Sequence, residues 1–114
     1  MYRFLMAGRL STGMMVDAAL ALANASMVTA MLERRGNFEN GAVLVRLDAP
    51  DGSCRLEQRS IDFDGNYTWQ DVTGDTPLDA ETAAARIERE TRYDPDLWVI
   101  AVDASLGDNP FRSL

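Results

Sequence analysis

The segment RYDPDLWVIAVD, residues 92–103, decides how this chain folds. Asp94 precedes a proline, a position that disfavours helical dihedrals, so a helix arriving here must end. Pro95 has no N–H to donate and is tolerated at the start of a strand. The residues Leu97–Val102 are apolar at every position. This run predicts a strand that is covered on both faces or lies in the middle of a sheet.

A helix is predicted to lead into this strand. It opens in the stretch TPLDAET, residues 76–82, with either Thr76 or Asp79 as the N-cap. Its apolar stripe at helical spacing comprises Ala80, Ala83, Ala84 and Ile87. On the opposite side, two pairs of charges lie four residues apart, and we expect them to form the ion pairs Arg86–Glu90 and Glu88–Arg92.

The first part of the chain predicts one more helix and four strands. The helix runs over Thr12–Asn24, is capped by Ser11 or Thr12, and has an apolar face at helical spacing. That face comprises Met15, Ala18, Ala19 and Leu22. The strands are predicted at Met27–Arg34, Ala42–Asp48, Cys54–Ile61 and Tyr67–Val72. The first two strands are expected to form a hairpin, and the turns APDGS and DFDGN separate the later ones.

Together these elements predict the α+β class, with a mainly antiparallel sheet of about five strands. The element order is αββββαβ, and the two helices are expected to pack on one face of the sheet. The 114 residues fit a single domain, residues 1–114. Residues 104–114 contain Gly107, Asn109 and Pro110, and they are predicted to form a flexible tail.

The charge balance bears on partners. The chain has 18 acidic and 11 basic residues and a net charge of −7. Such a surface repels phosphate backbones and anionic lipid, so neither nucleic acid nor a membrane is an expected partner. The most apolar stretch spans residues 10–32. Asp17 interrupts it and Ser11, Thr12 and Gly13 dilute it, which argues against a signal peptide. Asn24, Ser26 and Thr29 fall inside the window that a membrane span would need, which argues against such a span.

The residue inventory is poor in catalytic groups. Every basic residue is arginine, with no lysine and no histidine. Imidazole bases, Ser-His or Cys-His nucleophiles, histidine-ligated metals and Schiff-base lysines are therefore excluded. Cys54 is the single cysteine, so no internal disulfide can form and a cytoplasmic location is predicted. No cofactor is expected.

One acidic turn has the spacing of a calcium loop. Asp62, Asp64 and Asn66 match the first three ligand positions. The loop also needs a glycine and a bidentate glutamate, and Tyr67 and Thr73 stand at those places. We therefore predict a turn whose side chains bond to its own backbone, and no metal site.

Two stretches resemble a small bacterial family, domain of unknown function 1491. They are RRGNFENGAVLV, residues 34–45, and YDPDLWVI, residues 93–100. The resemblance implies a compact domain that stands alone, and it supplies no activity. If the likeness marks a site, we expect the site where these two stretches meet.

Two hypotheses of function remain. The first is a non-catalytic module that binds a partner protein or forms a homodimer. The second is a binder of small anionic molecules, or a carboxylate-dependent enzyme, with its site near Arg34, Arg35, Asp94 and Asp96. An arginine fork suits carboxylate or phosphate. The predicted pocket comprises those four residues together with Arg89, Arg92 and Trp98.

Overall fold

The part of the chain that the structure describes forms five strands and two α-helices in the predicted order. The computed structural model describes residues 11–104 and 109–113. The helices are α1 (Thr12–Ala25) and α2 (Ala80–Tyr93), and a short 3-10 helix spans Pro110–Ser113. The strands are β1 (Ala30–Arg34), β2 (Val43–Asp48), β3 (Cys54–Ile61), β4 (Tyr67–Asp71) and β5 (Trp98–Asp103). The α+β class and the order αββββαβ are confirmed.

The sheet has the strand order β1-β5-β2-β3-β4, so β5 is central as its sequence predicts. Among the strands described, β2 and β5 pair in parallel and the other neighbours are antiparallel. The predicted hairpin of the first two strands is wrong, because β5 lies between β1 and β2. The reason is burial: β5 is apolar on both faces and needs two neighbours, whereas β1 alternates between half-buried and exposed residues and suits an edge.

The two helices pack on opposite faces of the sheet, which corrects the prediction that they share one face. The α1 face carries alternate residues of the central strands, including Val45 and Ile100. The α2 face carries the residues between them, including Leu44 and Val99. Since side chains alternate along a strand, a central strand that is apolar throughout needs a cover on each side.

Helix α1 begins where the sequence predicts, but it buries a different stripe. The Ser11 hydroxyl accepts a hydrogen bond from the Met14 N–H at 3.3 Å. The buried side comprises Thr12, Gly13, Met15, Val16, Ala19 and Ala23. The predicted core residues Ala18 and Leu22 are exposed, because the helix is apolar nearly all round and its pattern alone does not choose a face.

Helix α2 is capped by Asp79, the second of the two predicted caps, whose carboxylate accepts from the Thr82 N–H at 2.7 Å. Ala83 is buried and Ile87 packs on the sheet, whereas Ala80 and Ala84 are exposed. Both predicted ion pairs are present, Arg86–Glu90 at 3.0 Å and Glu88–Arg92 at 3.9 Å.

The C-terminal segment departs from the predicted flexible tail over residues 109–113. Phe111 is 1% exposed and belongs to the α1-side core. The Asn109 carboxamide oxygen accepts from the Phe111 N–H at 2.8 Å and so shapes the 3-10 turn. The prediction of a flexible tail rests on turn-forming residues and gives no weight to Phe111. Residues 105–108 and 114 of that predicted tail lie outside the described residues. Neither described α-helix is long and apolar enough to cross a membrane.

Candidate functional site

The loop after β1 (residues 35–42) packs directly on the turn before β5 (residues 94–97), and we name this contact the loop clamp. The Asn37 N–H donates to the Asp96 carbonyl at 2.9 Å. The Trp98 indole N–H donates back to the Asn37 carbonyl at 2.8 Å. The two stretches whose sequences resemble the family thus lie against each other.

Two glycines allow this close approach of two backbones. A Cβ on Gly36 would lie 2.6 Å from Trp98 Cδ1 and 2.7 Å from the Leu97 carbonyl carbon. A Cβ on Gly41 would overlap the Asp96 carbonyl oxygen. Glycine is required at both positions because the atoms that a side chain would meet belong mainly to backbone.

Arg34 serves the loop clamp. A register shift between Leu32 and Arg34 interrupts the β1–β5 ladder; such irregularities re-aim side chains. The Arg34 Nη1 donates to the Pro95 carbonyl at 2.9 Å and to the Leu97 carbonyl at 3.0 Å. These bonds use a good part of the donor capacity that an anion would need.

Arg35 and Trp98 form the second contact among the predicted site residues. The Arg35 guanidinium carbon lies 5.2 Å from the centre of the Trp98 indole, a cation–π distance. Trp98 is fully buried, so its indole ring is not accessible to a ligand from solvent.

Arg89 and Arg92 lie on the exposed side of α2. Arg92 faces Glu88, and Arg89 borders a shallow depression with Leu78 and Thr82. Within the described residues, no hydrogen bond or ion pair links either arginine to the loop clamp. The predicted anion pocket of seven residues therefore remains a prediction, with Arg34, Arg35 and Trp98 adjacent and the two α2 arginines on another element.

Asp94 and Asp96 border a cavity of about 220 Å³ together with Asn40, Ser60 and Tyr67. The Asp94 carboxylate accepts from the Asp96 N–H at 3.1 Å, which fixes the turn that ends α2. The lining of the cavity carries two carboxylates, an amide and two hydroxyls, a set rich in hydrogen-bond acceptors. None of the four predicted arginines borders it, so its chemistry differs from that of an anion pocket.

A second polar cluster, not predicted from sequence, lies on the α2 face of the sheet. Arg46 pairs with Asp48 at 2.8 Å and with Glu33 at 3.0 Å, and these carboxylates raise the pKa of Arg46, Asp48 first. The Cys54 thiol lies 3.3 Å from the Asp48 carboxylate. Burial first, then Asp48, raises the pKa of Cys54 to about 11. The thiol is therefore neutral near pH 7 and is a poor nucleophile.

The α1 face carries a third polar group, around Glu57. Its carboxylate accepts from Arg112 at 2.7 Å and from Asn109 at 3.2 Å, which anchors the C-terminal segment. Arg59, on the same strand face, lies 3.6 Å from the centre of the Tyr67 ring. Burial lowers the pKa of Arg59, and Tyr67 opposes that shift. Charged residues alternate along β3, and this pattern in the sequence could have indicated that Glu57 and Arg59 share one face of the strand. Over the residues described, no three His, Cys, Asp or Glu side chains are grouped to hold a metal ion.

The outer side of α1 is an exposed apolar surface, which we name the α1 surface. It comprises Met14, Ala18, Ala21, Leu22 and Ala25, all of them exposed. Met14 is 51% exposed and Leu22 56% exposed, and Met27, just beyond the helix, is 89% exposed. Asp17 is the single charged side chain between residues 11 and 29. A helix that is apolar on all sides is typically buried on all sides.

The model of a family described as "Protein of unknown function (DUF1491)" matches residues 10–112. No curated protein matches the chain. The solution structure of protein Atu0922 from A. tumefaciens is 25% identical, with a TM-score of 0.75 over 94% of this chain and 95% of that one.

Two solved structures of DUF1491 family proteins from Caulobacter crescentus are also similar. The crystal structure is 30% identical, with a TM-score of 0.73, over 90% of this chain and 94% of that one. The NMR structure is 30% identical, with a TM-score of 0.76, over 93% of this chain and 96% of that one.

Proposed function

Since the chain belongs to the DUF1491 family, whose function is unknown, we propose from its own surface that it is a non-catalytic protein-interaction module that docks through the α1 surface. The single observation that carries this proposal is the exposure of an almost uncharged helix face. Met14 and Leu22 are each more than half exposed along it, and Met27, just beyond the helix, is 89% exposed. Contiguous exposed apolar residues typically mark a protein contact.

Methionine at this surface supports a protein partner. Met14 and Met27 have flexible, polarizable side chains that adapt to an opposing surface. The alanines between Met14 and Leu22 let another backbone approach closely. A small-molecule site would instead require a concave apolar pocket with a few convergent polar groups. The five residues that form the α1 surface are all apolar and supply no such polar groups.

The residues of the loop clamp support a structural role over a catalytic one. Arg34 donates to two backbone carbonyls, and Trp98 donates to a third. We propose that these groups hold β5 in the centre of the sheet, and thereby support the strands on which α1 packs. We also propose a reducing cytoplasm as the working compartment, since the free thiol of Cys54 is buried beside Asp48.

The test replaces an alanine at the centre of the α1 surface by a charge. Tagged wild type, Ala18→Glu and Ala84→Glu are expressed in Caulobacter crescentus, the source of a 30% identical relative, together with an untagged copy. Ala84 is the matched control, because it is an exposed alanine on the other helix. We expect an identified partner, a second copy or another protein, to be retained by wild type and Ala84→Glu and lost from Ala18→Glu.

The partner must then bind the purified protein directly. Circular dichroism of all three proteins establishes that they are equally folded, since both substituted positions are exposed. If the same proteins are recovered with wild type and with Ala18→Glu, the α1 surface is not a docking surface and the proposal fails.

A further inference from the structure

Arg59 is a buried cation without a full set of partners. The residue is 6% exposed. In the part of the chain that the structure describes, its Nη1 has no hydrogen-bond acceptor. Proteins rarely bury a charge without a counter-ion, because the loss of hydration is costly. The guanidinium of Arg59 therefore lacks a partner that its surroundings require.

The charges next to Arg59 do not balance. Arg55, Glu57 and Arg59 alternate along one face of β3, and Asp71 lies opposite Glu57 on β4. Arg55 pairs with Asp71. Glu57 pairs with Arg112 at 2.7 Å. Among these described residues three guanidiniums thus share two carboxylates, and Arg59 is the guanidinium that neither carboxylate neutralises.

Tyr67 contacts the face of the Arg59 guanidinium and leaves its edge. The guanidinium carbon lies 3.6 Å from the centre of the Tyr67 ring, so close that the two planes must stack. The N–H bonds of a guanidinium lie in its plane, so the stacked ring offers Nη1 no acceptor. Burial lowers the pKa of Arg59, and Tyr67, rather than a carboxylate, opposes that shift. A guanidinium that is held by its face presents its in-plane donors to an acceptor from outside the chain.

From this we infer that Arg59 binds the carboxylate of a small molecule that has an apolar or aromatic body. One unbalanced positive charge calls for a monoanion, and the planar edge of a guanidinium fits a planar carboxylate. Val43 and Trp69 lie directly opposite Arg59 on the two neighbouring strands, and they would contact the apolar body. Arg59 is not among the seven residues of the predicted anion pocket. The site is also separate from the α1 surface, so the inference goes beyond the proposed function and does not depend on it.

The ligand would enter from the β4 edge of the sheet. Strand β4 has five residues and is an edge strand. Its side chains Tyr67 and Trp69, which flank Arg59, are half-buried. Short edge elements with few buried contacts open locally more readily than the centre of a sheet.

The net charge of −7 does not exclude an anion at this site. Salt screens exposed charges over about 8 Å at physiological ionic strength, whereas a buried charge is screened much less. The unpaired guanidinium therefore dominates the local potential. A single charge-assisted contact of this kind gives a dissociation constant on the order of 1 mM.

The first experiment asks whether the unpaired charge costs stability. Arg59→Met keeps the length of the side chain and removes its charge, and Arg89→Met is the matched control because Arg89 is exposed on α2. Without added carboxylate, Arg59→Met should melt at least about 4 °C above wild type, because an apolar side chain replaces a buried unpaired charge. Arg89→Met should melt within about 2 °C of wild type. If Arg59→Met melts below wild type, Tyr67 already satisfies the guanidinium and the inference fails.

The second experiment uses sodium benzoate as the probe, with benzamide as its neutral analogue and sodium chloride holding the ionic strength constant. At about 100 mM benzoate, the melting temperature of wild type and Arg89→Met should rise by about 10 °C. Arg59→Met should respond to benzoate no more than to benzamide. Equal rises in wild type and Arg59→Met overturn the inference. A rise with sodium phosphate as large as that with benzoate contradicts the assignment to a carboxylate.

NMR gives the local readout. The side-chain ¹⁵N–¹H signal of Arg59 is assigned by its loss in Arg59→Met, and benzoate is titrated into wild type. This signal should shift and saturate with a dissociation constant on the order of 1 mM. Benzoate that shifts other arginine signals and leaves that of Arg59 in place binds elsewhere, and that result refutes the site.

Discussion

Replacing Gly36 by alanine should destabilise the fold through a steric clash in the loop clamp. The new Cβ would lie 2.6 Å from Trp98 Cδ1 and 2.7 Å from the Leu97 carbonyl carbon, and would overlap the Asp96 carbonyl oxygen. Most of these atoms belong to the backbone where β5 begins, so they cannot rotate away. The loop must instead move off the strand.

The cost of that movement follows from the contacts that it breaks. Two hydrogen bonds hold the loop, from the Asn37 N–H to the Asp96 carbonyl and from the Trp98 indole to the Asn37 carbonyl. Each contributes about 1 kcal/mol, and the overpacking adds about 1–3 kcal/mol. The free energy of unfolding should therefore fall by about 3–5 kcal/mol, out of about 5–15 kcal/mol for a domain of this kind.

Urea denaturation followed by circular dichroism measures this loss, and the melting temperature should fall by roughly 10–20 °C. Gly52→Ala is the matched control. Gly52 has a φ of +88° and no atom within 4 Å of a built Cβ, so its substitution costs only the left-handed conformation, about 1–2 kcal/mol. If Gly36→Ala is no more destabilising than Gly52→Ala, the close approach described for the loop clamp is wrong.

Three further predictions concern the clamp, the C-terminal segment and the thiol. Arg34→Met should lower the free energy of unfolding by about 2 kcal/mol, because the carbonyls of Pro95 and Leu97 lose a shared charged donor; unchanged urea stability would contradict that role. Phe111→Ala should cost about 3–5 kcal/mol by the same assay, since the ring is 1% exposed, and a loss below about 1 kcal/mol would mean that the ring is not in the core. Burial raises the pKa of Cys54 from 9.0 to about 11, so the folded state favours the neutral thiol and stability should decline as the pH rises from about 9 to about 11. At pH 8 a thiol-reactive disulfide reagent should label native protein far more slowly than the chain in urea, and equal rates would refute the burial.

The elements and the place of β5 could be predicted because the signals are local. An Asp-Pro pair ends a helix by sterics, and an unbroken apolar run requires cover on both faces. The same run in β5 requires cover on both faces, and so it also favours helices on opposite faces of the sheet. The prediction of one covered face followed the order of elements and did not apply this requirement to the helices. The hairpin error has the same origin: adjacency in sequence favoured pairing β1 with β2, and the burial of β5 outweighed it.

The candidate site was harder to predict than the fold. The contact between the loop after β1 and the turn before β5 was expected from the two family-like stretches, but the use of Arg34 on backbone carbonyls has no sequence signature. The exposed side of α1 was misjudged for a physical reason. Ala18 and Leu22 fit an apolar stripe as well as Ala19 and Ala23 do, and only packing against the sheet decides which stripe is buried.

The most direct test of the account is whether a bound partner covers the α1 surface. Met14→Cys is labelled with a thiol-reactive reagent in the free protein and in the complex with the partner that wild type retains. Background labelling is low, because Cys54 is buried. We predict that the partner slows the labelling of position 14, and equal labelling rates in the free protein and in the complex would contradict the account.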